Sequence, residues 1–162
     1  MSTRVYVPSS IDRLHDLVIA GGLGPVPILA HAVTDSLRSS MDDAGEEDWE
    51  YAALTAAALD SIGLIGDEES PRRVVVVAEA DSVVPVTGAE VSLVEIAEVV
   101  PLRQVVAVHV DSEDAAADVS AAREAWSAAG EGDEAAVAAL EQCLDHELGW
   151  FATQEIGDLF EE

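Results

Sequence analysis

The chain has 162 residues, of which 33 are acidic and seven are basic, so its formal net charge is −26. A surface of that sign repels nucleic-acid phosphates and anionic lipid headgroups, which excludes nucleic acid and membrane surfaces as partners. No apolar run reaches the roughly 18 residues of a transmembrane helix. The length and an apolar fraction of 49% predict a single globular domain over residues 1–162.

Three explanations of the acidity remain open. All seven basic residues are arginine, and lysine and asparagine are absent, a bias expected of a GC-rich bacterial genome. A salt-adapted cytoplasm also favours acidic surfaces, and so does a basic protein partner. The N-terminus lacks the apolar segment of a secretory signal, and the single cysteine, Cys143, suits a reducing compartment. We therefore expect a cytoplasmic protein.

Glycine, proline and capping residues divide the first half of the chain into short elements. These are a strand at residues 4–8 that ends at a proline, a helix from Ile11 to the glycines at 21–22, a strand at 28–33, a short helix after Thr34, and a long helix that starts at Glu46 or Glu47 and whose end is marked by Gly63 and Gly66. The spacing of apolar residues predicts that the long helix buries Tyr51, Leu54, Ala58, Ile62 and Ile65.

Residues 74–77 are four consecutive valines. A strand with one wet face alternates apolar and polar side chains, whereas a strand covered on both faces is an unbroken β-branched run. We therefore predict that this segment is the central strand of a sheet with helices on at least one side. The other elements are placed around it.

The second half of the chain alternates apolar strands with alanine-rich helical patterns. A loop at 81–88 precedes a strand within 89–100, another strand lies at 105–110, helices follow Ser112 and Asp133, and residues 150–152 are extended before a last helical piece at 154–160. The pattern indicates an α/β (α+β) fold with a mixed sheet of about five strands, helices packed on it, and a C-terminal helical hairpin at 112–148.

Four segments, at residues 4–8, 50–54, 108–111 and 150–156, resemble an uncharacterised family of small acidic proteins from GC-rich actinobacteria. The likeness spans most of the chain, but none of these motifs is a catalytic signature. The resemblance implies a bacterial cytosolic protein with a domain of unknown function, and it transfers no functional residue.

His109 and Asp111 are the first candidates for catalysis or ligand binding. Residues i and i+2 of a strand point to the same face. The pair lies at the end of a buried strand just before a helix, where open α/β sheets favour ligands. Together they would act as a base and its orienting group. The alternative is structural, because no third ligand or nucleophile accompanies them.

His146 is the second candidate, because it follows Cys143 by three residues on a predicted helix. The helix C-terminus disfavours a thiolate, so a small buried hydrophobe is the better interpretation of the cysteine. His146 and Glu147 begin a zinc-protease pattern that Trp150 interrupts. The histidines are scattered and the acidic clusters lack the spacing of a calcium loop, so no metal and no cofactor is predicted.

The segment that contains Trp150, Phe151, Gln154 and Glu155 combines aromatic and polar side chains, which suits an interaction surface. The same residues also suit a C-terminal segment that attaches itself to the core, since a tail without an apolar anchor would fray. The sequence leaves both alternatives open.

No catalytic pattern is complete, so the sequence assigns no activity. We favour a non-enzymatic cytosolic protein that acts through its surface, by docking on a basic partner protein or by self-association. The alternative is a small enzyme or ligand-binding protein with a site near His109 and Asp111, to which His31, Gln154 or Glu155 would contribute. That alternative predicts that His109 lines a concave pocket.

Overall fold

The computed structural model describes residues 2–160, in which seven strands form a large sheet and two more form a small one. In chain order the nine strands are β1 (Thr3–Ser9), β2 (Gly22–Leu23), β3 (Ile28–His31), β4 (Val74–Ala80), β5 (Val83–Pro85), β6 (Leu93–Ile96), β7 (Val100–Pro101), β8 (Val105–Val110) and β9 (Gly149–Ala152). The order across the large sheet is β5-β6-β3-β1-β4-β8-β9, and its pairings are antiparallel. β2 and β7 form a separate two-stranded ladder.

The helices begin at or near the predicted capping residues, although Ser112 makes no side-chain capping hydrogen bond. They are α1 (Ile11–Ala20), α2 (Asp35–Ser40), α3 (Glu46–Ile62), α4 (Ala116–Gly130) and α5 (Glu134–Gln142), with shorter 3₁₀ segments at Leu102–Gln104, Glu113–Ala115, Cys143–Asp145 and Thr153–Phe160. The side chains of Ser10, Thr34 and Asp133 each accept a hydrogen bond from a first-turn backbone N–H, which stabilises a helix start. Within residues 2–160, no helix has the length and apolarity needed to cross a membrane.

The four valines form part of β4, which lies between β1 and β8. The prediction of an interior strand is confirmed, although the central position of the sheet belongs to β1. Val74 and Val76 pack in one core with α1, through Leu14 and its neighbour Leu17. On the other face, Val75 and Val77 pack against the alanines of α3. All four valines are buried, because both faces of the strand are covered.

The sheet has more strands than the sequence predicts, and its strands are antiparallel rather than mixed. The additional strand β5 lies in the predicted loop at 81–88 and pairs with β6. A strand of three residues is too short to show the alternation that identifies a strand in a sequence. The extended segment near residue 150 is confirmed as β9, which forms one edge of the sheet by pairing with β8.

The buried stripe of α3 was predicted incorrectly in its first half. Tyr51 is 57% exposed and Leu54 is half-buried, whereas Ala53 and Ala57 face the sheet and are fully buried. The physical reason is that the valines of β4 already fill the space under the helix. Only side chains as small as alanine allow the helix to pack closely there.

The last helical region ends earlier than predicted. α5 stops at Gln142, and a 3₁₀ turn at Cys143–Asp145 follows it. The chain then leaves the helix layer so that Gly149 can pair with Val110 of β8. α4 and α5 contact each other. The early stop moves His146 off the helix and next to the sheet, where it joins other polar residues.

Candidate functional site

A cleft of about 160 Å³ lies where α3, the ends of β4 and β8, and the segment before β9 meet. Its polar lining comes from Tyr51, Thr55, Arg73, His109, His146 and Glu147, and three leucines with Ala58 form its apolar walls. The cleft brings together His109 and His146, two candidates that are distant in sequence. His109 lies in a concave pocket, but the other residues expected there do not line it, namely Asp111, His31, Gln154 and Glu155.

His109 is the most unusual side chain in this cleft. It is half-buried, and loss of hydration lowers the pKa of its imidazole from 6.5, so the ring is neutral at neutral pH. Among residues 2–160, neither ring nitrogen has a hydrogen-bond partner, and both remain accessible to solvent. The ring therefore offers one donor and one acceptor to whatever occupies the cleft.

Asp111 does not orient His109, because its carboxylate binds Arg73 instead. Its Oδ2 accepts from Arg73 Nε at 2.7 Å and from the Arg73 backbone N–H at 2.9 Å, and its Oδ1 accepts from Nη2 at 2.8 Å. The Arg73 and Asp111 side chains are 4% and 0% exposed. The pair joins the start of β4 to the end of β8, and it neutralises the charge that Arg73 would otherwise bring to the cleft.

His146 and Cys143 are neighbours but do not form a reactive pair. His146 Nε2 lies 2.7 Å from Asp118 Oδ2 on α4, and the His146 carbonyl accepts from Arg73 Nη2 at 3.0 Å. Cys143 donates to the Asp118 carbonyl at 3.5 Å. Burial is the largest effect and raises the pKa of its thiol; the charge of Arg73 opposes that rise, and those of Asp111 and Asp118 add to it. A buried thiol with a raised pKa is a poor nucleophile.

The predicted interaction segment divides into attached and exposed side chains. Phe151 packs against the main core, and the backbone N–H of Ala152 donates to Glu155 Oε1 at 3.0 Å. Gln154 is exposed, and Trp150 is 61% exposed directly opposite His109 in the β8–β9 pairing. The segment thus attaches itself to the sheet and still leaves one large aromatic ring beside the cleft.

Sequence reasoning missed Tyr51, Thr55 and Arg73 as members of this site. Tyr51 was placed in the core by its helical spacing. Arg73 carried one usable signal, since a charged residue directly before a fully buried strand needs a buried partner. His31 does not line the cleft; it lies at the end of β3.

Comparison with known families extends over nearly the whole chain. Residues 3–160 match the model of the family of unknown function DUF6912. The chain belongs to this family. No curated protein and no solved structure matches it. Membership in DUF6912 assigns no activity, so the functional argument depends on the cleft itself.

Proposed function

We propose that this DUF6912 protein binds a basic partner protein in the cytoplasm and that the cleft receives a lysine or arginine side chain of that partner. The observation that carries the proposal is the neutral, unpartnered imidazole of His109 in a cleft that has apolar walls and also contains Glu147 and Tyr51. The free, unpaired thiol of Cys143 supports the cytoplasmic setting.

The chemistry of the lining matches a long basic side chain. Its aliphatic stem would lie against the leucines, since lysine and arginine bury their methylenes on apolar surfaces. Its charged head would meet the Glu147 carboxylate, the ring of Tyr51 and the acceptor nitrogen of His109, all of which attract a cation. Arg73 offers little repulsion because Asp111 compensates its charge.

The electrostatics of the whole chain favour the same kind of partner. A net charge of −26 steers basic proteins toward the surface and accelerates their association. A second copy of this chain carries the same charge, so self-association is opposed. Apolar contact area around the cleft comes from the exposed side chains of Trp150, Tyr51 and Leu144. Exposed aromatic residues of this kind often act as anchors in protein interfaces.

A short synthetic peptide with a single arginine tests the proposal, with the same peptide carrying neutral citrulline as its matched control. We expect the arginine peptide to shift the NMR resonances of His109 and Tyr51 in the labelled full chain and the citrulline peptide to leave them unchanged. Glu147→Gln should weaken binding by about tenfold, because a charge-assisted hydrogen bond is lost. Glu141→Gln changes an exposed carboxylate outside the cleft and should leave the affinity unaltered.

Two results would contradict the proposal. One is a set of shifts spread evenly over the acidic surface with none at His109. The other is an equal loss of affinity in the Glu147 and Glu141 variants. N-acetyl-arginine amide provides a further arm: if it binds as tightly as the peptide, the ligand is a small cation rather than a protein segment.

The pH dependence supplies a second readout. Because burial lowers the pKa of His109 from 6.5, the ring gains its positive charge only in more acidic solution, and the charged ring repels the bound cation. Affinity should therefore fall as the pH decreases below 6.5. His109→Gln keeps an acceptor and cannot titrate, so it should reduce that fall. His146, Glu147, Tyr51 and Arg73 also face the cleft, and the variant separates their contribution from that of His109.

A second candidate function, a small enzyme that uses His109 as a proton acceptor, is favoured by one observation. His109 is neutral and free to accept a proton, and a second imidazole, His146, lines the same cleft while hydrogen-bonded to Asp118. General-base catalysis needs such a group. His109→Gln separates the two functions, because the substitution would abolish an enzymatic rate and preserve binding of the arginine peptide.

A further inference from the structure

A second polar cluster lies on the other flank of α3, where His31, Asp60 and Glu90 meet. His31 ends β3, Asp60 is in the last turn of α3, and Glu90 is in the loop before β6. One donor atom from each residue lies within 4.8 Å of the other two. Three parts of the chain that are far apart in sequence therefore direct an imidazole and two carboxylates to one point.

A hydrogen bond to Ser92 fixes the orientation of the His31 imidazole. The residue is fully buried, and its Nδ1 lies 2.7 Å from Ser92 Oγ, while its Nε2 lies 2.6 Å from Asp60 Oδ2. A histidine that ligates a metal through one nitrogen nearly always has its other nitrogen fixed by a hydrogen bond of this kind. The bond to Ser92 thus directs Nε2 toward Asp60.

The same three side chains, Ser92, His31 and Asp60, have the order of a hydrolase triad, but access excludes that role. Ser92 is 4% exposed, so a substrate cannot reach its hydroxyl. The open end of the cluster carries the carboxylates instead, because Asp60 is 36% exposed and Glu90 is exposed. An open end of this kind attracts a cation and repels the carbonyl or phosphoryl oxygens of a hydrolase substrate.

The spacing and the charges suit a small divalent ion. Ligands around an ion at about 2.0–2.2 Å lie about 3.0–3.5 Å from one another. Because His31 Nε2 and Asp60 Oδ2 lie 2.6 Å apart, a bound ion would replace the proton of that hydrogen bond and release it to solvent. The half-exposed Asp60 would move back slightly, and the exposed Glu90 would approach the ion. Within residues 2–160, no arginine forms an ion pair with either carboxylate. Imidazole with two carboxylates favours first-row transition ions over Mg²⁺ and Ca²⁺.

We propose that His31, Asp60 and Glu90 bind one divalent transition-metal ion of the Mn²⁺-to-Zn²⁺ series, with Ser92 as the positioning residue for His31. The ion would tie β3, the end of α3 and the loop before β6 together. The sequence alone predicted no metal, because its histidines are scattered; the site takes one histidine and draws its other ligands from distant acids.

Calorimetric titration of the chelator-treated full chain with ZnCl₂, MnCl₂ or MgCl₂ tests this proposal. We expect one saturable site for Zn²⁺ and Mn²⁺ and weaker binding of Mg²⁺. Loss of an outer-sphere partner already costs about 10–100-fold in metal affinity, so Glu90→Gln, which removes a ligand, should cost at least about tenfold. Glu90 is exposed, so this variant should fold normally.

Glu124→Gln is the matched control, because it removes one exposed carboxylate on α4, away from the cluster. It should leave the affinity of the site unchanged. Equal losses in the two variants, or Mg²⁺ binding as tightly as Zn²⁺, would show diffuse attraction to an acidic surface and overturn the proposal. Pulsed EPR of bound Mn²⁺ gives an independent readout: coupling to an imidazole nitrogen is expected, and its absence would remove His31 from the ligand set.

Discussion

The buried ion pair of Arg73 and Asp111 holds together β4, β8 and the segment before β9. Both side chains are almost completely buried, and the Asp111 carboxylate accepts three hydrogen bonds from Arg73, with lengths of 2.7, 2.8 and 2.9 Å. Arg73 also reaches the carbonyl of His146, so the pair holds the segment before β9 against the sheet. The sequence indicates Asp111 as a possible catalytic group, but in the structure its carboxylate serves as the counter-charge of the buried Arg73.

Removal of one member of this pair should destabilise the protein strongly. Asp111→Asn leaves the guanidinium of Arg73 buried without a counter-charge, which costs about 3–5 kcal/mol. Glu79→Gln is the comparison, because it breaks the exposed Arg4–Glu79 pair and should cost less than about 1 kcal/mol. The free energies of unfolding come from urea titration at neutral pH. Similar losses of unfolding free energy in the two variants would show that the buried pair stabilises the fold no more than an exposed pair does.

At the scale of elements, helix starts and the interior strand follow from local sequence, whereas helix faces and the end of α5 do not. Thr34 and Asp133 cap their helices as predicted, because a capping side chain needs only its own first turn. The buried face of α3 depends on what already occupies the sheet. There the valines of β4 select Ala53 and Ala57 rather than Tyr51.

The end of α3 packs closely against α4 at Gly63. A Cβ added to Gly63 would lie 2.6 Å from the indole of Trp126, although its backbone φ of −68° suits any residue. Overpacking of this kind costs about 1–3 kcal/mol, so Gly63→Ala should lower the free energy of unfolding by that amount. The measurement is urea unfolding followed by circular dichroism.

Gly130→Ala provides the control for this contact, since nothing lies within 4 Å of its added Cβ at the end of α4. Replacement of a glycine by alanine at a compatible position stabilises by about 0.4–1 kcal/mol. The double variant Gly63→Ala with Trp126→Leu should lose less stability than the sum of its parts, because the indole that causes the clash is gone. Equal effects of the two single glycine variants would refute the steric explanation.

At the scale of the whole molecule, the charge acts on stability as well as on partners. The described arginines form ion pairs with a small part of the acidic residues, and the chain has 33 acids. Most carboxylates therefore repel one another over the surface, more strongly in the compact state than in the expanded one. Stability should depend on salt for this reason.

An increase in NaCl from about 0.02 M to about 0.5 M shortens the Debye length from about 20 Å to about 4 Å. We expect the urea midpoint to rise across this range, since screening relieves the repulsion in the folded state. KCl at the same ionic strength should give the same rise, because screening does not depend on the identity of the cation. A urea midpoint that stays constant or falls with salt would show that repulsion between surface carboxylates does not destabilise the folded state significantly.

The sequence by itself determined most of the elements and the burial of the valine strand. Four β-branched residues in a row indicate an interior strand, and caps and glycines indicate helix ends, because these signals act over one or two turns of chain. It also identified His109 and His146 as residues of interest from their type and position. These features require no knowledge of which strand pairs with which.

Only the tertiary structure decided how those residues meet. The antiparallel register places Val75 opposite His109 and His109 opposite Trp150, and that register brings α3, β4 and β8 to one cleft. The meeting of His31 with Asp60 and Glu90 depends equally on contacts between distant segments. Long-range pairing is set by the packing of the entire core, so no local pattern in the chain carries that information.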